Sequence, residues 1–243
     1  SLVIFDDKIK KEVRRVNLIE SELRAAIQEN TLDVYYQPQF GCDDNKLVGV
    51  EALIRWNHPG LGAVEPNEFV KIAESGQLIV VLDAWVLKKA ISDFVQLCNK
   101  LKCNELMLSI NISMIQLNNR KFIDLIKAEL DKGFQAKQLV LELTETSLMD
   151  SLTQAEDMLR ELSELGVKIA LDDFGVGYSS MQHLKYLPIS FLKIDRSFVG
   201  DIESDGNSMA IVNAIISLAK SLGLTCIAEG VENTNYKLST STG

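Results

Sequence analysis

Short apolar runs in this chain end on polar residues again and again, and this pattern constrains the fold more than any other feature. The residues are Glu51, Asn111, Glu142, Asp172, Asp173, Lys193 and Glu229, with Glu232 just after. In a barrel, the carboxyl ends of parallel strands share one rim, and active sites lie at that rim. The pattern therefore predicts a barrel in which five or six carboxylates and one amide surround one cavity.

Strand and helix candidates alternate along the chain. Strands are predicted at Val34–Phe40, Leu47–Ile54, Leu106–Ile110, Leu139–Leu143, Lys168–Leu171, Phe191–Ile194 and Thr225–Ala228. Helices are predicted at Lys8–Glu29, Leu78–Leu101, Arg120–Lys132, Ser151–Leu165, Ser179–Tyr186 and Asn207–Leu222. The loop Gly41–Lys46 is too short for a crossover, so the first two strands are expected to be antiparallel. The later alternation predicts a parallel sheet, and hence an α/β fold of the (β/α)₈ TIM-like barrel class.

Residues 1–30 are predicted to be separate from the barrel, as the tail of an upstream region followed by a linker helix. Val13, Val16, Ile19, Leu23 and Ile27 recur at spacings of three and four, which is typical of an amphipathic helix. The barrel domain is expected to occupy residues 31–243.

Charge and composition exclude some functions. The formal net charge is −9 and the basic residues are not clustered, which argues against a protein that binds long nucleic acid. No apolar run approaches the roughly 20 residues that span a bilayer, so membrane insertion by this region is not expected. The four scattered cysteines are expected to be reduced thiols of a cytoplasmic domain. Attachment of the full-length protein to a membrane by another region is compatible with this expectation.

Clustered carboxylates repel each other unless they hold protons or cations. Oxygen ligands suit Mg²⁺ or Mn²⁺. Asp172 and Asp173 are neighbours and would face opposite ways within a regular strand, so both reach one site only if the backbone turns, which Gly175 and Gly177 permit. Two acids here would suit two metals about 3.5–4 Å apart, as in phosphoester hydrolysis. A single strand-end acid is more often a helix cap, and Lys193 alone is more often an ion-paired lysine; the number of such residues favours a site.

Several blocks of the chain resemble, in order, the EAL phosphodiesterase family. They are YYQPQF, EALIRW, RWNHPGLG, PNEFVKIAE, NIS, LELTET, DDFGVGYSS, LKIDRSFV and IAEGVE, and together they cover about Leu18 to Glu232. The resemblance implies a barrel with an antiparallel first strand. It also implies hydrolysis of cyclic di-GMP to linear pGpG by a water that bridges two Mg²⁺ or Mn²⁺ ions, with Ca²⁺ as an inhibitor.

The resemblance also implies roles for individual residues. The metal ligands would be Glu51, Asn111, Glu142, Asp172, Asp173 and Glu229. The catalytic residues would be Glu229, Lys193, which would contact the hydrolytic water, and Glu145, which would brace the loop carrying DDFG. The substrate-binding residues would be Gln37, Leu53, Arg55, Pro66 and Phe69, with Glu232 as an outer acid of the site. The alternative to substrate binding, for the first five of these residues, is a role in packing or in a surface ion pair.

The chain departs from the family pattern in two places. Val176 stands where the family usually has threonine, which removes a hydroxyl from the loop. After Glu232 the expected helix and final strand with a Gln-Gly pair are missing, so the domain is expected to lack its last strand and helix, and the intact protein to continue beyond Gly243.

Two other functions stay open, and the resemblance suggests partners. One alternative is a catalytically silent module that acts as a cyclic di-GMP receptor or a protein-interaction domain. The other is a different metal barrel enzyme with Lys193 as a base. A homodimer and an upstream sensory or GGDEF-like domain are the expected partners besides the nucleotide.

Overall fold

Eight strands form one sheet in the computed structural model, which describes residues 7–176, 184–200, 202 and 206–231. The strands are β1 (Asp33–Phe40), β2 (Leu47–His58), β3 (Gly62–Val64), β4 (Met107–Asn111), β5 (Leu139–Thr144), β6 (Lys168–Phe174), β7 (Phe191–Ile194) and β8 (Thr225–Ala228). The order across the sheet is β1-β2-β4-β5-β6-β7-β8, and β3 pairs only with β2. The β1–β2 and β2–β3 pairs are antiparallel, and every later pair is parallel.

One helix precedes the sheet, and the others connect its strands from β3 onward. The helices are α1 (Asp7–Glu29), α2 (Pro66–Ser75), α3 (Ile79–Leu101), α4 (Met114–Leu117), α5 (Arg120–Asp131), α6 (Glu145–Asp150), α7 (Leu152–Glu164), α8 (Arg196–Gly200) and α9 (Gly206–Leu222). Within the described ranges, no helix combines the length and the apolar character that crossing a bilayer requires.

The predicted barrel class with an antiparallel first strand is confirmed, as an open sheet that covers part of a barrel. All seven predicted strands are present, with ends shifted by a few residues. The largest shift is in β2, which continues to His58 because Trp56, Asn57 and His58 pair with the unpredicted β3. The predicted helix Ser179–Tyr186 lies mainly outside the described residues.

Two large apolar cores and a small third cluster, formed by Val140, Ala170 and Phe191, hold the described residues together. The larger core fills the space between the sheet and the helices α3, α5, α7 and α9, with Leu108, Leu141 and Phe94 among its buried members. The smaller core joins α1 and α2 to the far end of β2. Ile54 and Trp85 pack against both cores, so the junction between the cores runs through β2 and α3.

Helix α1, predicted as a linker, packs against the barrel domain. Its Ile19 and Leu23 are fully buried in the smaller core. Arg15 forms two hydrogen bonds with Glu68 of α2, at 2.5 and 2.7 Å. Helix α1 is therefore held against the domain by apolar packing and by a charged contact.

His58 adds a second polar link to α1. Its Nδ1 accepts hydrogen bonds from the backbone N–H groups of Gly60 and Leu61, so the ring proton is on Nε2. That Nε2 lies 3.0 Å from Glu22 Oε2 and donates to it. These hydrogen bonds connect the loop after β2 to helix α1.

One buried acid lies within the apolar helix α3. Asp83 is 7% exposed, and its Oδ2 accepts hydrogen bonds from Ser113 N at 3.1 Å and Ser113 Oγ at 2.8 Å. The pKa of Asp83 is raised to about 7, chiefly because the side chain is buried. The two hydrogen bonds from Ser113 lower this pKa, whereas the negative charge of Glu74 on α2 raises it. Asp83 therefore holds its proton more tightly in the folded chain than in the unfolded one.

The free energy of unfolding of Asp83→Asn, relative to that of the wild type, is expected to increase as the pH rises from about 4 to about 7. The folded protein keeps the Asp83 proton in this range after the unfolded chain has lost it, so the wild type loses stability with rising pH while the amide does not titrate. The difference in unfolding free energy should grow by up to a few kcal/mol, then level off above about pH 7. Urea unfolding of both proteins across this range measures it. A difference that does not change with pH would contradict the expectation.

Candidate active site

Lys193 lies at the centre of the carboxyl-terminal rim of the sheet, on β7. Its side chain is 1% exposed, and its ammonium contacts four carboxylates from four different parts of the barrel. The distances from Nζ are 2.5 Å to Glu142 Oε2, 2.7 Å to Glu229 Oε1, 2.9 Å to Asp172 Oδ2 and 3.4 Å to Glu51 Oε2. The predicted convergence of strand-end residues is therefore present.

The strand register explains why these residues meet. Asn111 pairs with Glu142 across β4 and β5, so the two side chains lie at the same level of the rim. Asn111 Nδ2 donates to Glu51 Oε1 at 2.9 Å, which orients the carboxylate of β2 toward the same cavity. Glu229 follows β8 directly, and its backbone N–H donates to the carbonyl of Ile194 on β7.

Asp172 and Asp173 both reach the site because β6 is irregular at this point. Its register with β7 shifts between Leu171 and Phe174, and Asp173 adopts a left-handed conformation with φ of 54°. One carboxylate oxygen from each of Asp172, Asp173 and Glu229 lies within 4.8 Å of the others. The predicted backbone turn is therefore confirmed at Asp173 and at Gly175, where φ is 100°; Gly177 lies outside the described residues.

The electrostatics of the site follow from burial and from crowding of like charges. Burial raises the pKa of Glu142, and the neighbouring Glu51 and Asp172 raise it further, while Lys193 acts against them. The pKa values of Asp173 and Glu229 are also raised, first by burial. Burial alone would lower the pKa of Lys193, but the surrounding carboxylates raise it well above its ordinary value, so this lysine stays charged.

The residues at this rim fit a divalent cation. Among the described residues, Glu142 Oε1 is a buried polar side-chain atom without a hydrogen-bond partner. The carboxylates around it accept hydrogen bonds and do not donate them. A buried carboxylate oxygen without a partner is costly, and a cation would supply one. The candidate ligands are carboxylate and amide oxygens, the set that suits Mg²⁺ or Mn²⁺.

Glu145 connects the site to the loop after β6. It begins α6, is 1% exposed, and its Oε2 accepts a hydrogen bond from Gly175 N at 2.9 Å. A side chain on Gly175 would crowd Phe198 and Ile215, in addition to the strain of the positive φ. Glu145 is thus placed where a brace for this loop would have to be.

The candidate substrate wall is formed by β1 and β2. Gln37 pairs with Glu51, and Tyr35 pairs with Leu53, so these side chains lie on one face of the two strands. Arg55 lies on the same face, with its guanidinium 5.8 Å from the centre of the Tyr35 ring. Tyr35 was not predicted as a site residue, although its spacing of two from Gln37 in YYQPQF indicates the shared face.

Three other residues were predicted to contact the substrate, and for one of them, Phe69, the structure requires a correction. Phe69 is fully buried in the smaller core and packs edge to face against Trp56, with ring centroids 5.6 Å apart, so its ring cannot reach a ligand in this conformation. Pro66, at the start of α2, is partly exposed. Glu232 lies outside the described residues.

Asp195 is a further acid beside the site that the sequence reasoning missed. In addition to burial, its negative charge raises the pKa of Asp173, and its Oδ1 accepts from Ser197 N at 2.9 Å at the start of α8. The signal was available in LKIDRSFV, where Asp195 directly follows β7, as Glu229 directly follows β8.

Known proteins resemble this chain in sequence and in structure. The model of the EAL domain family matches residues 20–237. The chain is 39% identical over 215 residues to cyclic di-GMP phosphodiesterase NbdA of Pseudomonas aeruginosa, which covers 88% of this chain and 27% of that protein. The first curated relatives are all much longer, and the chain spans between 27% and 37% of their length.

Two solved structures share the fold over most of the chain. One is described as a PaMucR phosphodiesterase complex with c-di-GMP, with a TM-score of 0.83 and 37% identity over 89% of this chain and 87% of the other. The second is described as EAL enzyme Bd1971 in a form that binds cAMP and cyclic-di-GMP, with a TM-score of 0.85 and 35% identity over 91% of this chain and 61% of the other.

Proposed function

The chain belongs to the EAL domain family, and on this premise we propose that it is a metal-dependent phosphodiesterase that opens cyclic di-GMP to linear pGpG. The observation that carries the proposal is the convergence of Glu51, Glu142, Asp172 and Glu229 on the ammonium of Lys193. The relative named as a cyclic di-GMP phosphodiesterase and the relatives solved with this nucleotide bound support the choice of substrate.

The net negative charge of the side chains at the rim favours the binding of two divalent cations. The ligands we propose are Glu51, Asn111, Glu142, Asp172, Asp173 and Glu229. Five carboxylates and one lysine leave four net negative charges when all are ionised, which is the charge that two divalent cations would neutralise. When bound, such cations would polarise the phosphodiester and make an attacking water more nucleophilic.

The side chains of this protein would position the reacting groups. Lys193 presents a permanent positive charge, suited to orient a water and to stabilise negative charge that develops on the phosphate. Arg55, Gln37 and Leu53 would hold the nucleotide against β1 and β2, and Glu145 would keep the loop after β6 in place. The water adds to one phosphorus as the bond to the 3′ oxygen breaks, and the leaving 3′ oxygen takes up the proton that the water loses and becomes a hydroxyl.

Hydrolysis is expected to require Mg²⁺ or Mn²⁺. The purified protein should convert cyclic di-GMP to pGpG with either ion, stop when the ions are chelated, and recover when Mg²⁺ is added back. Ca²⁺ should inhibit, because its longer and looser coordination would place the ligands differently. Chromatography of the nucleotides follows the reaction.

The same assay separates the proposal from its alternatives. Full turnover in the presence of chelator would contradict the role of the metal. Binding of cyclic di-GMP without any turnover would instead favour the catalytically silent receptor. Every position at which the resemblance to the family implies an acidic metal ligand carries an acid in this chain, which favours turnover.

A further inference from the structure

The turn that follows Asn111 is fixed from two sides. On one side, the backbone N–H of Ile112 donates to the carbonyl of Glu142 at 3.0 Å. On the other side, Asp83 of α3 accepts both the N–H and the hydroxyl of Ser113. Ser113 Oγ also accepts from Gln116 N at 3.1 Å and so caps α4. Asn111 is thus the last strand residue before a turn with very little freedom.

Asp83 is an unusual residue for the place it occupies. It lies in the interface of a long apolar helix, between buried residues such as Leu82 and Val86. Among the described residues, no lysine or arginine forms an ion pair with it, and its hydrogen-bond partner is Ser113 alone. A buried acid without a cation costs stability, so a leucine would stabilise this interface better. What the acid supplies in return is the attachment of the turn.

We propose that Asp83 is a positioning residue, which fixes the turn at Ile112 and Ser113 and thereby the orientation of the Asn111 side chain at the metal site. The metal role of Asn111 rests on the proposed function, but the effect on its orientation does not. The amide of Asn111 holds Glu51 Oε1 at 2.9 Å, so a turn that moves would displace two candidate ligands together. Residues that hold metal ligands in place typically change metal affinity 10–100-fold when they are replaced.

The chain offers a matched control at the opposite end of the same strand. Gln138 is 7% exposed, as is Asp83, and its Nε2 donates to the carbonyls of Asn104 and Leu106, at 3.2 and 3.1 Å. Asp83→Ala and Gln138→Ala therefore each remove two hydrogen bonds to the segments that flank β4. One change acts at the metal end of the strand, and the other acts at the far end.

The first experiment measures Mn²⁺ binding directly, by electron paramagnetic resonance without substrate. Asp83→Ala should weaken binding about 10–100-fold. Asp83→Asn, which keeps an oxygen that can accept from Ser113, should stay within about threefold of the wild type. Gln138→Ala should lower the melting temperature but leave Mn²⁺ affinity unchanged. If Asp83→Ala does not fold, Ser113→Ala serves instead, with a smaller loss expected because the Ser113 N–H still donates to Asp83.

The second experiment is independent of metal and of catalysis. Nuclear magnetic resonance of the metal-free protein should show that the side-chain amide of Asn111 shifts or broadens in Asp83→Ala but not in Gln138→Ala. Absence of this change, wild-type Mn²⁺ affinity in Asp83→Ala, or an equal loss of affinity in Gln138→Ala would each overturn the proposal. A wild-type protein that neither binds Mn²⁺ nor hydrolyses cyclic di-GMP would instead overturn the proposed function, and the amide signals would still decide the role of Asp83.

Discussion

Turnover of cyclic di-GMP is expected to fall at least about 10³-fold when Glu51 or Asp172 is replaced with alanine. Each change removes a carboxylate that contacts Lys193 and that would hold a metal. The loss should appear in kcat as well as in kcat/KM, because these groups act on the reacting phosphate and water and not only on the bound nucleotide. Steady-state kinetics at saturating Mg²⁺ measure it.

Loss of turnover through removal of a metal ligand can be distinguished from loss of turnover through unfolding of the variant. Removing one of the four acids around Lys193 reduces the repulsion among those that remain, so the metal-free variants should be about as stable as the wild type. Asp150→Ala is the control, since Asp150 is an exposed acid at the end of α6, outside the strand ends. It should leave turnover nearly unchanged. A loss of less than about tenfold in Glu51→Ala would remove this residue from the list of metal ligands.

The metal-free protein is expected to lose about 3–5 kcal/mol of stability when Lys193 is replaced with methionine. The methionine fills a similar volume but leaves Glu142, whose side chain is fully buried, beside Glu51 and Asp172 without a cation. Mg²⁺ should therefore stabilise Lys193→Met more than it stabilises the wild type. Turnover should fall while KM stays nearly the same, because the proposed role of Lys193 concerns water and developing charge. Urea unfolding with and without Mg²⁺, together with kinetics, tests both parts.

Lys168→Met is the control for that experiment. Lys168 lies at the other end of β6, where its Nζ is 3.5 Å from Met107 Sδ and 5.4 Å from the centre of the Phe191 ring. It forms no ion pair with the described acids, so its loss should cost less than about 1 kcal/mol. Equal stability of Lys193→Met and the wild type without metal would contradict the view that this lysine balances the charge of the site.

The sequence predicts the strands of the large sheet well because their signal is local. Phe191–Ile194 and Thr225–Ala228 are short apolar runs between turns, and both occur as predicted. The short strand Gly62–Val64 was missed because three residues, two of them small, give no period. Helix α2 was missed although Phe69, Ile72 and Ala73 are spaced for it, with Pro66 in its first turn.

The site was predictable as a set of residues but not as a geometry. Strand-end acids identify the rim, whereas the contacts of Lys193 with Glu51 join residues 142 positions apart and depend on how the sheet curls. For Phe69, the residue type alone does not indicate whether the side chain binds substrate or packs in the core. Its apolar ring suits a base pocket or a core equally well, and only the packing of Trp56 against it decides for the core. Asp83 was overlooked because one acid in an apolar helix resembles a solvated position.

The position of β2 between the larger and the smaller core connects the candidate substrate wall to helix α1. Leu53 and Arg55 flank Ile54, which packs against both the larger and the smaller core. The strands that carry Glu142 and Asp172 instead contribute to the larger core and to the third cluster, and not to the smaller core that contains α1. A shift of α1 is therefore expected to displace the proposed substrate wall, through Trp56 and Ile54, more than the acids on β5 and β6. Such a shift should change the affinity for the nucleotide more than the rate of hydrolysis.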